Sequence, residues 1–248
     1  MAKAVIFDYY NTLLRYKSVE NNIEIWKILM EIIKLVEQDF SVTAKKLRTL
    51  YKEEYKKELR DCQNKRGIYA EISLERVWKA VLIKVGMEED TAEKRAGKIL
   101  MIYRACAERE KEIFPNVKSE LLALKEQGIK LLLLSNAQTC FIDAEFPEEI
   151  REIFDVVLIS QELGIKKPSP EAFQLAFEKL EAKPEDIVYV GDSAEDDMIP
   201  AGKLGCHCIM IAKRKKKDTA LSHVNWFNPY KKTGYTGLCD MIVALLNK

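Results

Sequence analysis

Histidine is nearly missing from this sequence, with 2 in 248 residues. A Ser-His-Asp triad or a His-rich metal centre is poorly supplied by so few imidazoles. The 6 cysteines, Cys62, Cys106, Cys140, Cys206, Cys208 and Cys239, form no C-x-x-C pair. Cys206-His207-Cys208 has the look of a metal clip, but in a strand the two cysteines share one face while His207 points to the other. No second cluster supplies the further ligands a zinc site needs, so free buried thiols are expected. Long apolar runs are lacking too: none reaches the roughly 18 residues of a membrane-spanning helix. The stretch Met1-Ala2-Lys3-Ala4-Val5-Ile6-Phe7-Asp8 does not read as a signal peptide. A soluble, cytoplasmic protein is the expectation. Charge of one sign is not in excess, since 40 Lys+Arg face 39 Asp+Glu for a net +1. That balance gives no reason to expect nucleic acid or a membrane as partner. With 10 Gly and 7 Pro, 48% hydrophobic and 32% charged residues, the chain is neither disordered nor collagen-like. Its length allows about three-quarters of the unfolded surface to be buried, in one large domain or a core plus a sub-domain.

What is present is a succession of short apolar runs. Ala4-Val5-Ile6-Phe7 is bounded by Asp8 and the turn-like Asn11-Thr12. Similar runs recur at Ile129 to Leu134, Val156 to Ile159, Ile187 to Val190 and Cys208 to Ile211. Each is apolar nearly throughout, as strands buried on both faces of a parallel sheet should be. Helical stripes lie between them: Val117, Leu121, Leu122 and Leu124 before a stop at Gly128, and Ala172, Phe173, Ala176, Phe177 and Leu180 after Pro170. Alternating strands and helices predict an α/β fold with a doubly wound parallel sheet.

From about Ser18 to Glu112 no strand is expected. Ile23, Trp26, Leu29, Met30, Ile33 and Val36 form one helical stripe; Leu74, Val77, Trp78, Val81, Leu82 and Val85 form a second; Ala96, Ile99, Leu100, Tyr103 and Ala107 form a third. Residues 18–112 are therefore read as an inserted all-helical cap domain, and residues 1–17 with 113–248 as the α/β core. An insertion after the first strand sits over the carboxyl ends of the sheet, where open α/β sheets bind ligands. After the last of these strands, Lys213-Arg214-Lys215-Lys216-Lys217 is a basic run. It reads as a solvated loop or as a patch for an anionic substrate or RNA. Arg15, Lys17 and Arg66 are further cations able to meet an anion or to remain ordinary surface.

Four strand ends carry polar groups that packing does not require. The first gives Asp8-Tyr9-Tyr10-Asn11-Thr12, the second Ser135-Asn136. Lys166-Lys167-Pro168 precedes the fourth, which ends Gly191-Asp192-Ser193-Ala194-Glu195-Asp196-Asp197. A carboxylate at the end of a buried strand is costly unless a cation or donors meet it. One such residue alone reads equally as a helix cap; carboxylates from two strand ends suit a hard divalent cation such as Mg²⁺.

In these four motifs, and in their order, the chain resembles the haloacid dehalogenase (HAD)-like hydrolase superfamily, and the helical insertion resembles its α-helical cap of the first type. The resemblance implies a Rossmann-like core and a role for each matching residue. Asp8 would be the nucleophile, forming an aspartyl intermediate. Ser135 would bind the oxygens of the transferring group, with Asn136 and Thr12 assisting substrate binding. Lys167 would neutralise Asp8. Mg²⁺ would be held by Asp8, the Tyr10 carbonyl and Asp192, with Asp197 supporting it.

One position departs from the phosphatases of this superfamily, most of which carry a second Asp two residues after the nucleophile, as general acid and base. Here that residue is Tyr10, whose phenol has an ordinary pKa near 10 and is a poor base at neutral pH. The D-x-Y-x-T form resembles the metal-independent 2-haloacid dehalogenases, whose leaving halide needs no proton. Those enzymes replace the acidic fourth motif with Ser and Asn, whereas this chain keeps Asp192 and Asp197 and has Ala194 in place of the Asn. Asn11 stands where both branches usually have Gly. The sequence thus favours a Mg²⁺-dependent phosphohydrolase acting on a small anionic phosphate monoester. A dehalogenase, or a weakly active member serving as a binding module, stays open, as does the oligomeric state.

Overall fold

The computed structural model describes residues 3–20, 22–36, 42–215 and 218–248; Lys216 and Lys217 of the basic run lie outside the described residues. In chain order the elements are β1 (Ala4–Phe7), β2 (Leu14–Ser18), α1 (Ile23–Val36), α2 (Ala44–Arg66), α3 (Leu74–Lys84), α4 (Glu89–Ala107), β3 (Glu108–Ile113), α5 (Val117–Glu126), β4 (Lys130–Ser135), α6 (Thr139–Glu145), α7 (Glu148–Arg151), β5 (Val156–Ile159), α8 (Ser160–Leu163), α9 (Pro170–Leu180), β6 (Ile187–Gly191), α10 (Ile199–Lys203), β7 (His207–Ile211), β8 (Asn225–Phe227) and α11 (Leu238–Leu246). A π-helical turn, Ala194–Met198, runs into α10.

Six strands form one sheet in the order β5-β4-β1-β6-β7-β8. All its pairings are parallel, with Phe7 beside Leu133 on one side and Val190 on the other. This is the doubly wound α/β core that the apolar runs predict. Alternate side chains serve opposite faces. Val5, Phe7, Leu131, Leu133, Val188 and Val190 pack against Leu121, Leu124, Ile242 and Leu245 of α5 and α11. Ala4, Ile6, Leu132, Leu134 and Tyr189 pack against Phe173, Ala176 and Leu180 of α9 and against Met198 and Ala201. Because β1 is flanked on both sides, Asp8 emerges at the centre of the sheet's carboxyl edge. The β7-flanking Cys206 and Cys208 are buried, and all six cysteines are free thiols.

The inserted segment has its own apolar cluster. Trp26, Leu29 and Ile33 of α1 meet Leu47 and Leu50 of α2, Trp78, Val81 and Leu82 of α3, and Leu100 and Tyr103 of α4. Trp26 and Trp78 stack with centroids 6.0 Å apart. Phe141 of α6 reaches into this cluster from the core.

Two features correct the expected boundaries. Residues 108–112, placed in an all-helical cap, belong to the strand β3, and Leu14–Ser18 are its antiparallel partner β2. The ribbon joins the insertion to the core at both of its chain crossings. Its sequence Glu-Arg-Glu-Lys-Glu-Ile carries charge at every position but the last, so no apolar alternation marks it. The other feature is α2, 23 residues with few apolar side chains, which carries no clear stripe. Among the described residues no helix is long and apolar enough to cross a membrane.

We propose that helices α1–α4 form a cap that folds around this cluster as a unit. Trp78 is fully buried, so Trp78→Ala should cost about 3–5 kcal/mol of stability. Hydrogen exchange should show lost protection concentrated in α1–α4; loss spread evenly through β1, β4 and β6 would count against a separate cap.

Candidate active site

The strand ends meet at a buried ammonium. Lys167 is 2% exposed, and its Nζ donates to Asp8 Oδ1 and to Asp197 Oδ1, both at 2.7 Å. Thr12 Oγ1 donates to the other Asp8 oxygen at 3.1 Å. The Tyr189 hydroxyl, from β6, donates to Asp197 Oδ1 at 2.9 Å, and the Ser193 amide to its Oδ2 at 3.0 Å. The Lys167 loop is fixed through Asn136, whose side chain accepts from the Lys167 amide at 2.8 Å and donates to its carbonyl at 3.0 Å. Asn136 therefore serves here as a brace for the loop that presents Lys167.

Asp192 completes a triad of carboxylates. Oxygens of Asp8, Asp192 and Asp197 all lie within 4.8 Å of one another. Burial pushes the Asp8 carboxyl up to about 6, with Lys167 pulling against it and Asp197 adding to it. Burial pushes Asp192 up to about 7, with further repulsion from Asp8 and Asp197. Burial pulls the Lys167 ammonium down, but Asp197 and Asp8 outweigh it and hold it above its ordinary value. Two buried acids and a half-buried third, with one ammonium between the buried two, form a hard oxygen donor set that a divalent cation would balance. The residues fit Mg²⁺ on that chemistry.

Two local features make the arrangement possible. Gly191 ends β6 directly below the acids, and a Cβ there would fall 2.5 Å from Asp197 Oδ2. Asn11 adopts a left-handed conformation, φ 57°, in which Asn substitutes for Gly at modest cost. Its side chain accepts from the Tyr16 amide at 3.2 Å. The Ser135 hydroxyl is buried without a hydrogen-bond partner. An unsatisfied hydroxyl at the end of β4, the strand beside β1, costs free energy that an incoming oxygen acceptor would relieve.

Tyr10 turns to a different set of partners. Its hydroxyl donates to Glu145 Oε2 at 2.8 Å. Arg104 of α4 grips the same carboxylate at 2.8 and 3.0 Å, joining cap to core. The guanidinium lies 5.1 Å from the Tyr10 ring centroid. Burial, with the neighbouring Glu145 charge, pushes the Tyr10 phenol far above its usual range. Arg104 and Glu145 went unmarked in the sequence because each is an ordinary helix residue far along the chain from its partner, and Tyr189 because it sits within an apolar strand run. Of the surface cations considered earlier, Arg15 pairs with Glu110. Arg66 lies against Gly164, Lys17 is exposed, and Lys213 sits over Tyr230 at 4.6 Å.

A family model for haloacid dehalogenase-like hydrolases matches residues 2–205, and the chain belongs to that family. It is 34% identical over 109 residues to a glyceraldehyde 3-phosphate phosphatase of Methanocaldococcus jannaschii, covering 42% of this chain and 46% of that one. To a ribulose-1,5-bisphosphate 5-phosphatase of Halopiger xanaduensis it is 27% identical over 143 residues, covering 56% and 60%. The chain thus spans about half the length of the curated relatives it matches. In fold it is similar to the 2-haloacid dehalogenase of Pseudomonas syringae pv. Tomato, with a TM-score of 0.69, 20% identity, and 98% and 99% of the two chains covered.

The raised Asp192 carboxyl gives a signed pH prediction. In the folded chain this group keeps its proton up to about pH 7, whereas an unpaired Asp releases it near its ordinary pKa of 3.8. The folded state then binds more protons than the unfolded one, so this group's contribution to stability falls as pH rises between those values. Without divalent cations, Asp192→Asn should be more thermostable than wild type at pH 8 and about equal to it at pH 4. A gap that does not change with pH would contradict the electrostatics described.

Proposed function

We propose that this chain is a Mg²⁺-dependent phosphohydrolase that cleaves a small phosphate monoester through an aspartyl-phosphate at Asp8. The observation that carries this reading is the triad Asp8, Asp192 and Asp197. A metal-independent hydrolase has no use for two further carboxylates beside its nucleophile, one of them fully buried, since their repulsion raises the cost of ionising it.

The chain's own residues account for the chemistry in order. Asp8, held by Lys167 and Thr12, presents a carboxylate oxygen to phosphorus. The bond to the ester oxygen breaks and the leaving group departs as its oxyanion, taking a proton from solvent; water then attacks phosphorus, gives up a proton to solvent, frees the Asp8 carboxylate and releases phosphate. Ser135 can donate its unpaired hydroxyl to a phosphoryl oxygen. Lys167 balances negative charge in both steps while remaining protonated. Asp8, Asp192 and the Tyr10 carbonyl would hold Mg²⁺, with Asp197 in support, and the ion would neutralise phosphoryl oxygens and orient them. The Tyr10 phenol, already donating to Glu145, does not act as acid or base. Esters with good leaving groups need no such acid, so at equal binding they should turn over faster than alkyl esters.

A dehalogenase reading draws on one observation, Tyr10 in place of the expected Asp. The two are separated by substrate. We expect p-nitrophenyl phosphate hydrolysis that requires Mg²⁺ and falls about 10³-fold or more in Asp8→Asn, with no chloride released from 2-chloropropionate. Metal-independent chloride release would overturn the assignment. Tyr10→Asp should raise turnover of alkyl phosphates more than that of p-nitrophenyl phosphate, by supplying the missing acid; an unchanged rate in a folded, Mg²⁺-binding variant would contradict it.

A further inference from the structure

The phosphohydrolase reading leaves the leaving group unnamed. The following inference rests on that reading and concerns the recess beside the nucleophile. Between cap and sheet lies a cavity of about 280 Å³, walled by Tyr10, Tyr16, Tyr51, Tyr55, Phe141 and Arg104. Asn136 also lines it, so the recess begins two residues beyond Asp8 and one beyond Ser135. A space this small suits a leaving group of a few heavy atoms.

Its charge is lopsided. Among the described residues that line it, Arg104 is the cation, and that guanidinium is committed to Glu145 at 2.8 and 3.0 Å. Glu20 and Glu71 line the recess as well. Glu20 stands 3.9 Å from Arg104. Glu71 accepts from the Ser160 hydroxyl at 2.6 Å and from the Ile72 amide at 2.9 Å, donors that carry no charge. One guanidinium thus faces three carboxylates, and two negative charges go unmatched. The rings add a second, independent signal. The Arg104 guanidinium lies 3.9 Å from the Tyr16 ring centroid and 4.4 Å from that of Phe141, showing that these walls take a cation on the face. Tyr51 and Tyr55 stand as another pair, with centroids 6.3 Å apart. The Tyr16 hydroxyl is buried without a partner and can accept from an N–H donor.

We infer that the recess recognises a positively charged amine, so that the substrates are phosphate monoesters of small amino alcohols. A second phosphate or a carboxylate on the leaving group meets repulsion from Glu20 and Glu71 instead. Electrostatic selection of this kind works through both attraction and rejection.

Three non-hydrolysable phosphonates of equal chain length separate charge from shape: 2-aminoethylphosphonate, 2-hydroxyethylphosphonate and phosphonoacetate. By calorimetry on the wild-type chain with Mg²⁺, the amine should bind about tenfold more tightly than the carboxylate, the alcohol falling between. Glu71→Gln and Glu20→Gln should each narrow that gap. Equal or tighter binding of phosphonoacetate, or binding of none of the three, overturns the inference. Turnover of p-nitrophenyl phosphate, measured in parallel, reports on the reaction alone. An amine preference without turnover would sink the phosphohydrolase reading and spare the recess; turnover without the preference would do the reverse.

Discussion

Everything around Asp8 depends on one buried ammonium. Lys167, 2% exposed, bridges Asp8 and Asp197, 6% and 1% exposed. Burying three ionised groups is expensive, and a pair stripped of one member typically loses 3–5 kcal/mol because a bare charge stays behind. The fold meets that demand with polar groups from every neighbouring strand end: Thr12 on Asp8, Tyr189 and the Ser193 amide on Asp197, and Asn136 on the Lys167 backbone. Asp192, left with its charge raised in cost by the other two acids, is where the balance is incomplete. A site that is over-supplied with negative charge when empty is one built to receive cations and electrophiles.

The sheet makes that concentration of charge possible. A carboxylate at the carboxyl end of β1, the strand flanked by both β4 and β6, is surrounded by the ends of its neighbours. Residues 135, 167, 192 and 197 therefore converge on residue 8 although they are spread along the chain. The inserted segment lends walls to the recess, among them Tyr51, Tyr55 and Arg104. Its docking is specific: Gln138 accepts from the Leu74 amide at 2.8 Å and donates to the Ile72 carbonyl at 3.0 Å, and Arg104 holds Glu145 across the same seam.

How much of this could be read beforehand follows from the kind of signal involved. The five longer core strands announced themselves as unbroken apolar runs because both of their faces are covered, and α1, α3 and α4 as stripes because only one of theirs is. Helix α2 hid because its buried positions, Ala44, Leu47, Leu50, Glu54 and Cys62, are few, and one of them is a carboxylate. The ribbon β2–β3 hid because cross-strand pairing of charged side chains, as in Arg15 with Glu110, leaves no period-two apolar mark. Strand β8 is three residues long. At the site, the motif residues were legible because strand ends carrying charge are unusual. Arg104, Glu145, Glu20 and Glu71 were not, since acids and bases on helices and in turns and loops are common and only the packing of the inserted segment on the sheet brings them around one recess. The Tyr10 anomaly was visible, but its partner, 135 residues away, was not.

The central claim is that Asp8 itself becomes phosphorylated, and trapping tests it without reference to rate. The enzyme is mixed with a phosphate ester and Mg²⁺, quenched in acid during turnover and reduced with borohydride, which converts an aspartyl phosphate to homoserine. Peptide mass spectrometry then locates the change. The account predicts homoserine at position 8 and nowhere else, in amounts that rise with substrate. Steady hydrolysis with Asp8 unmodified at every quench time, or homoserine at another carboxylate, would contradict it.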